Sequence, residues 1–215
     1  MSNIRRYDAL NRPIFMTAVC YKRKTRLKGD AAKELLLSVM REIKQETSYT
    51  MLGYIILDDH FHWMIRLAWR NENGLSGNPP AANTLTYDQA YDSVGNKNHE
   101  RGVLSSHDDL NSKYAISKIM QSLKLRFTYR YKKNSGIRSN VSLWQRRFWD
   151  HIVKDQEDFN RHLDYIHYNP VKHGYVVRPI DYSFSSFPEY VERGVYGPGW
   201  GEEAEPMYLS KTEWE

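Results

Sequence analysis

A single cysteine, Cys20, stands in 215 residues, so no internal disulfide staples this chain. No apolar run approaches the ~18 residues that a membrane-spanning helix needs. No stretch has the basic start, apolar middle and small-residue end of a signal peptide, so a cytosolic protein is expected. No internal repeat is evident. Hydrophobic residues make up 40% of the chain, which allows a real core, and the length suits one good-sized domain or one domain with additions. The most telling absence is local. Between residues 113 and 149 there is no Asp or Glu, but there are ten cations: Lys113, Lys118, Lys124, Arg126, Arg130, Lys132, Lys133, Arg138, Arg146 and Arg147. Phe127, Tyr129, Tyr131, Trp144, Phe148 and Trp149 are interleaved with them. A solvated basic helix face is the bland reading. A patch this long and this free of acid fits better with nucleic acid, where cations neutralise phosphates and aromatics stack on unpaired bases. The net charge of +5 is modest by itself. The last fifteen residues reverse the sign, with Glu202, Glu203, Glu205, Glu213 and Glu215 against Lys211.

His60-Phe61-His62 closes the strand-like run Tyr54-Ile55-Ile56-Leu57-Asp58-Asp59, and Trp63-Met64-Ile65 continue the apolar pattern. On a strand, residues i and i+2 share a face, so two imidazoles project side by side while Phe61 turns to a core. Such a pair suits a divalent metal but does not complete its site. Alone, it is as readily a half-exposed strand with two satisfied rings.

Residues 156 to 169 read as a helix. Phe159, Leu163 and Ile166 follow helical spacing, and Glu157 and Asp158 sit in the first turn, where the dipole favours acids. Pro170 predicts an end near Asn169. Tyr165 and Asn169, four apart, share one face. Tyr168 points about 100° away from Asn169. With 16 tyrosines in the chain, either could be a core aromatic; the partner at i+4 favours Tyr165 over Tyr168 as a reactive group. His167 should face nearly opposite Tyr165, as a structural or DNA-facing residue.

The remaining pattern predicts a strand at 14–21, a helix at 31–45 capped by Asp30, strands at 51–57 and 60–67 joined as a hairpin, a helix at 113–131, a basic turn at 132–140 and a fourth strand or extended segment at 141–148. Residues 70–111 are poor in aliphatics and rich in Asn and Gly, with Pro79-Pro80 among them, and read as a long loop or insertion. This βαββαβ-like order predicts an α+β fold, a ferredoxin-like or RRM-like antiparallel sheet. One domain over residues 1–200 and an acidic tail at 201–215 are expected.

Taken in order, His60-Phe61-His62, Leu143-Trp144-Gln145-Arg146-Arg147-Phe148-Trp149-Asp150-His151 and Asp164-Tyr165-Ile166-His167-Tyr168-Asn169-Pro170-Val171-Lys172-His173-Gly174 resemble the single-tyrosine HUH transposases. More closely, they resemble the REP-associated tyrosine transposases of bacteria. The opening Ser2-Asn3-Ile4-Arg5-Arg6-Tyr7 and the late Asp181-Tyr182-Ser183-Phe184-Ser185-Ser186-Phe187 share that likeness. The resemblance implies an HUH palm with helices on one face and a C-terminal catalytic-tyrosine helix. It implies metal-dependent, site-specific cleavage and strand transfer on hairpin DNA with a single-stranded foot, through a covalent 5′-phosphotyrosine link. Tyr165 would be the nucleophile. His60, His62 and Asn169 would hold Mg²⁺ or Mn²⁺; in insertion-sequence relatives a glutamine usually stands in the place of Asn169. Arg5, Arg6, Lys124, Arg126, Arg146, Arg147 and Lys172 would contact DNA. The REP-associated group is generally monomeric, which implies a monomer with Tyr165 acting in cis, at the bacterial nucleoid. In insertion-sequence relatives the helix can come from a dimer partner.

Two other readings stay open: a structured nucleic-acid-binding module without chemistry, and a metal-dependent nuclease that activates water, for which Asp58 and Asp59 lie close by. If the acidic tail shields the basic face, deleting residues 201–215 tightens non-specific DNA binding in a filter or anisotropy assay, and unchanged binding contradicts the shielding.

Overall fold

The computed structural model describes residues 12–47, 49–67, 106–197 and 199–202, with the side chains of 106–114 left aside. Arg5, Arg6, most of the 70–111 segment and the tail beyond 202 therefore lie outside the described residues. The elements are β1 (Pro13–Val19), α1 (Asp30–Thr47), β2 (Thr50–Ile56), β3 (His60–Arg66), α2 (Ser106–Asn134), β4 (Trp149–Ile152), α3 (Gln156–Lys172) and α4 (Phe187–Glu192). The four strands form one sheet in the order β2-β3-β1-β4, every neighbour antiparallel. This is the ferredoxin-like plan expected from the element order. No helix among the described residues is long and apolar enough to cross a membrane.

Alternation along the central strands divides the side chains between two cores. Ile14, Met16 and Ala18 of β1 and Phe61, Trp63 and Ile65 of β3 face α1 and α2, whose Leu36, Val39, Met40, Ile43, Ile116, Ile119, Met120, Leu123 and Phe127 complete that layer. Phe15 and Met64 face the other way, into a core with Phe159, Leu163, Tyr165 and Ile166 of α3 and the aromatics Tyr182, Phe187, Tyr190 and Tyr196. Both sheet faces are thus covered, and α3 lies on the face that carries His60 and His62.

Three elements depart most from the sequence-based expectation. The fourth strand lies at Trp149–Ile152, not at 141–148. The earlier segment runs beside the end of β1 with a single bridge, Cys20↔Trp144, and two flanking bonds, Tyr21 N–H to the Leu143 carbonyl and Gln145 N–H to the Val19 carbonyl. Its apolar Leu143 and Trp144 are core plugs rather than part of a strand ladder. Helix α2 starts seven residues earlier and ends three later than 113–131. Helix α3 continues through Pro170 to Lys172. Its end is set by Gly174, whose φ of 69° continues the chain in the left-handed region. There Gly174 N–H bonds the Val171 carbonyl and Tyr175 N–H bonds the Pro170 carbonyl, at 2.9 Å each, a complete Schellman closure.

Gly53 sets how closely α3 approaches the sheet. A bulge between Met51 and Gly53 interrupts the β2–β3 register, and a Cβ on Gly53 would stand 3.0 Å from Leu163 Cδ1 and 3.4 Å from Ile166 Cδ1. Gly53→Val therefore overpacks the α3 contact and is expected to lower stability by about 1–3 kcal/mol in urea unfolding; an unchanged midpoint would show that α3 has slack on the sheet.

Candidate active site

The turn at 57–59 and strand β3 put His60 and His62 on one face, as the i, i+2 spacing requires, with ring centroids 5.0 Å apart. Each ring is fixed through Nδ1. His60 Nδ1 lies 2.6 Å from Asp59 Oδ1, and His62 Nδ1 lies 2.8 Å from Thr17 Oγ1 on the neighbouring strand. The hydrogen bond from His60 holds the Asp59 carboxyl below the usual carboxylate range. With the carboxylate accepting the Nδ1–H of His60, the lone pair sits on Nε2, the arrangement that a carboxylate imposes on a metal-binding imidazole. Among the described residues, His60 Nε2 finds no hydrogen-bond partner, and neither do Oδ1 and Nδ2 of Asn169. Buried polar atoms of this kind are rare unless something else engages them.

Helix α3 brings Tyr165 to the pair: its ring centroid is 5.0 Å from that of His62 and 6.1 Å from that of Phe15. Asn169 follows one turn later. Lys172 Nζ lies 5.1 Å from the Tyr165 ring centroid, within cation–π range. His173, at the end of α3, sets its ring 5.3 Å from that of His60. Tyr168 points elsewhere, against Trp200. His60, His62, Tyr165 and Asn169 are all 2% exposed or less.

His167 is not DNA-facing. It is wholly buried, with Nε2 2.8 Å from Ser186 Oγ and Phe187, Tyr190 and Tyr196 around it. Neither acid at the turn is placed as a simple extra ligand: Asp58 Oδ1 is 2.6 Å from Lys33 Nζ, and Asp59 is shared between His60 and Arg23.

The basic residues behave unequally. Arg146 and Arg147 are exposed just before β4, and Lys172 is exposed beside the site. Arg126 instead makes a two-pronged ion pair with Glu46 at 2.6 Å, and Arg130 makes a similar pair with Glu42. Lys124 turns inward to the carbonyls of Gln145 and Arg147, and burial pushes its pKa down to about 8. A cationic group escaped the sequence reading: Lys22, Arg23, Lys24, Arg26 and Lys28 crowd one loop. Arg23 of that loop reaches Asp59 at 3.2 Å, and both Lys22 and Arg23 hold positive φ. Five cations in seven residues was a visible signal; their place beside His60 was not.

A second group of ligand-type side chains, His151, Asp158 and His162, brings one ligand atom from each within 4.8 Å of the others. Asp158 Oδ2 is 2.7 Å from His151 Nε2, and its Oδ1 is 3.0 Å from His162 Nδ1. The two imidazoles stack at 4.6 Å and 11°. A metal must lie in the plane of each ring it binds, and two stacked rings offer no shared point without rotation. The group is therefore a hydrogen-bonded clasp of α3 to β4.

No protein-family model matches the sequence. The chain is 25% identical over 200 residues to the REP-associated tyrosine transposase of Escherichia coli (strain K12), covering 93% of this chain and 91% of that one. A protein of Haemophilus influenzae that carries a provisional form of the same name is 46% identical over 71 residues, which span 33% of this chain and 40% of the relative. Among solved structures, a REP-associated tyrosine transposase bound to a REP hairpin superposes with a TM-score of 0.62 at 22% identity, covering 97% of this chain and 96% of that one. The likeness read from the motifs, and the α+β palm it implied, are borne out.

Burial pushes the pKa of His162 down to about 4 and that of His167 down to about 3, because a charged ring there loses its water. The unfolded chain takes up these protons near pH 6.5 and the folded one does not, so stability falls as the pH drops from 6.5 towards 4. His167→Gln should flatten that dependence when urea midpoints at pH 7 and pH 5 are compared; an equal drop in both proteins contradicts it.

Proposed function

We propose, from the chain's homology to the REP-associated tyrosine transposases, that it is a metal-dependent, site-specific DNA nuclease and strand transferase. Its substrate would be a hairpin of the REP type with a single-stranded foot, cut through a covalent 5′-phosphotyrosine link. The observation that carries this reading is one constellation: two imidazoles fixed through Nδ1 on β3, and a tyrosine 5.0 Å from one of them. An amide with no hydrogen-bond partner among the described residues follows one helical turn later.

In this reading the Tyr165 oxygen attacks the scissile phosphorus and gives up its phenolic proton. The bond from phosphorus to the 3′ oxygen breaks, and the strand leaves as a 3′-hydroxyl. A 3′-hydroxyl returning along the same path re-forms the phosphodiester with the tyrosine as leaving group, so rejoining needs no energy cofactor. A free tyrosine, with a pKa near 10, is a poor nucleophile at neutral pH. His60 through Nε2, His62, and Asn169 through Oδ1 fit a divalent ion, Mg²⁺ or Mn²⁺, which when bound would polarise the scissile phosphate and stabilise its developing charge. Asp59 and Thr17 orient the two rings. A mixed nitrogen and oxygen set binds Mg²⁺ weakly, which makes Mn²⁺ the better probe.

Tyr165 meets His62 within one chain, which supports action in cis by a monomer. The exposure of Arg146, Arg147 and Lys172 supports a role for them in phosphate contacts. Lys124 and Arg126 could take that role only by leaving partners in the protein, and Arg5 and Arg6 belong to the same proposal. So does the division into one domain over 1–200, with an insertion near 70–111 and a tail at 201–215, working in the bacterial cytoplasm on nucleoid DNA. The water-activating reading has less support, since Asp58 and Asp59 are already engaged.

The test is a denaturing gel with purified protein, Mn²⁺ and a labelled hairpin from the repeats flanking its gene. An SDS-stable protein–DNA adduct is expected, lost in Tyr165→Phe with hairpin affinity within about twofold of the parent, since the ring remains. Free product without adduct would point to activated water. Tight binding with neither would point to a binding module.

A further inference from the structure

Trp149 opens the edge strand β4 and is 41% exposed, although it lies on the face of the sheet that carries the site. The register settles its place. Thr17 pairs with His62 on one side and with Trp149 on the other, so His62, Thr17 and Trp149 form one row across three strands. With strands about 4.8 Å apart, the Trp149 backbone is about 10 Å from that of His62.

The indole is held rather than loose. It lies parallel to the His151 ring at 5.9 Å and 7°, and His151 stacks on His162 in turn. Phe15 meets Trp149 edge-on at 5.6 Å and stacks on His62 at 5.4 Å. Asp158 fixes both imidazoles of the ladder from the first turn of α3. A rigid aromatic at the outer end of such a ladder stacks on a partner without first losing rotamer freedom. Arg146 and Arg147, exposed just before it, are the last two of the ten cations in the acid-free stretch from 113 to 149. The charge around the indole thus favours a polyanion over a peptide or a second copy of this chain.

We propose that Trp149 is the stacking platform for one unpaired nucleobase beside the scissile phosphate, and so fixes which phosphate faces Tyr165. The proposal rests on the reading of the site as a single-stranded DNA cleavage centre. Stacking tolerates any base, so Trp149 would set register and affinity rather than base identity.

The probe is a fluorescein-labelled DNA hairpin with unpaired flanks, together with a series carrying a single abasic site at each flank position. Wild type, Trp149→Phe and Trp149→Ala are compared by anisotropy, with urea midpoints measured alongside. Trp149→Ala should weaken binding of the intact hairpin about tenfold, and Trp149→Phe less. One abasic position should bring wild type down to the affinity of Trp149→Ala while costing that variant nothing more. Unchanged affinity in Trp149→Ala, or an equal loss on every abasic hairpin, overturns the platform. If Trp149→Ala does not fold, the Phe variant on the same series decides, since its smaller ring must lose less to the critical abasic site than wild type does. A denaturing gel run on the same samples separates the two readings. A Trp149-dependent base contact without any adduct refutes the tyrosine chemistry alone, whereas an adduct without that contact refutes the platform alone.

Discussion

The packing of α3 onto the histidine face of the sheet is the constraint on which the rest depends. Tyr165, Asn169 and Lys172 lie on a different element from His60 and His62, 165 − 62 = 103 residues on from the second histidine to the tyrosine. The fit of Leu163 and Ile166 over Gly53 lets the helix come close enough to bring these two sets together. A sheet with a larger residue at 53 would hold the helix further off, and the 5.0 Å meeting of Tyr165 with His62 would open. Several contacts reinforce the same placement. The Asp158 clasp ties the start of α3 to β4, the Schellman closure at Gly174 ends it, and Tyr182 and Tyr190 bond backbone carbonyls of β2 from the segment that follows.

The second theme is fixation of imidazoles from behind. Asp59 and Thr17 bind Nδ1 of the two strand histidines, and Asp158 binds the two rings of the clasp. The same residue types thus serve two ends. Where the rings stand at 78° to one another, at His60 and His62, their lone pairs can converge on one ion. Where they stack at 11°, at His151 and His162, they make a support. Ring orientation, not composition, separates a pair whose lone pairs can converge from a clasp.

Much of this was legible in the sequence. Period-two and helical apolar patterns placed three strands and three helices, and the i, i+2 and i, i+4 spacings gave both halves of the site. The failures were of tertiary origin. Residues 141–148 look like a strand because Val141, Leu143 and Trp144 are apolar, but they plug a core beside β1. Pro170 disfavours helix at Asn169, yet packing and the glycine closure carry the helix past it. Arg126, a DNA contact by sequence expectation, pairs in the fold with Glu46, 80 residues away, a partner that no local pattern shows. The stacking of His151 between Trp149 and His162 had no sequence signal, because it joins a strand to a helix through ring orientation alone.

The central claim is that Tyr165 carries the DNA during the reaction. Trypsin digestion of a trapped protein–DNA complex, followed by fragmentation of the adduct peptide, tests it most directly. The fragment from His162 to Lys172 contains both Tyr165 and Tyr168. A 5′-phosphonucleotide on Tyr165 is the expected result. The same mass on Tyr168, or on a peptide elsewhere in the chain, would contradict the account.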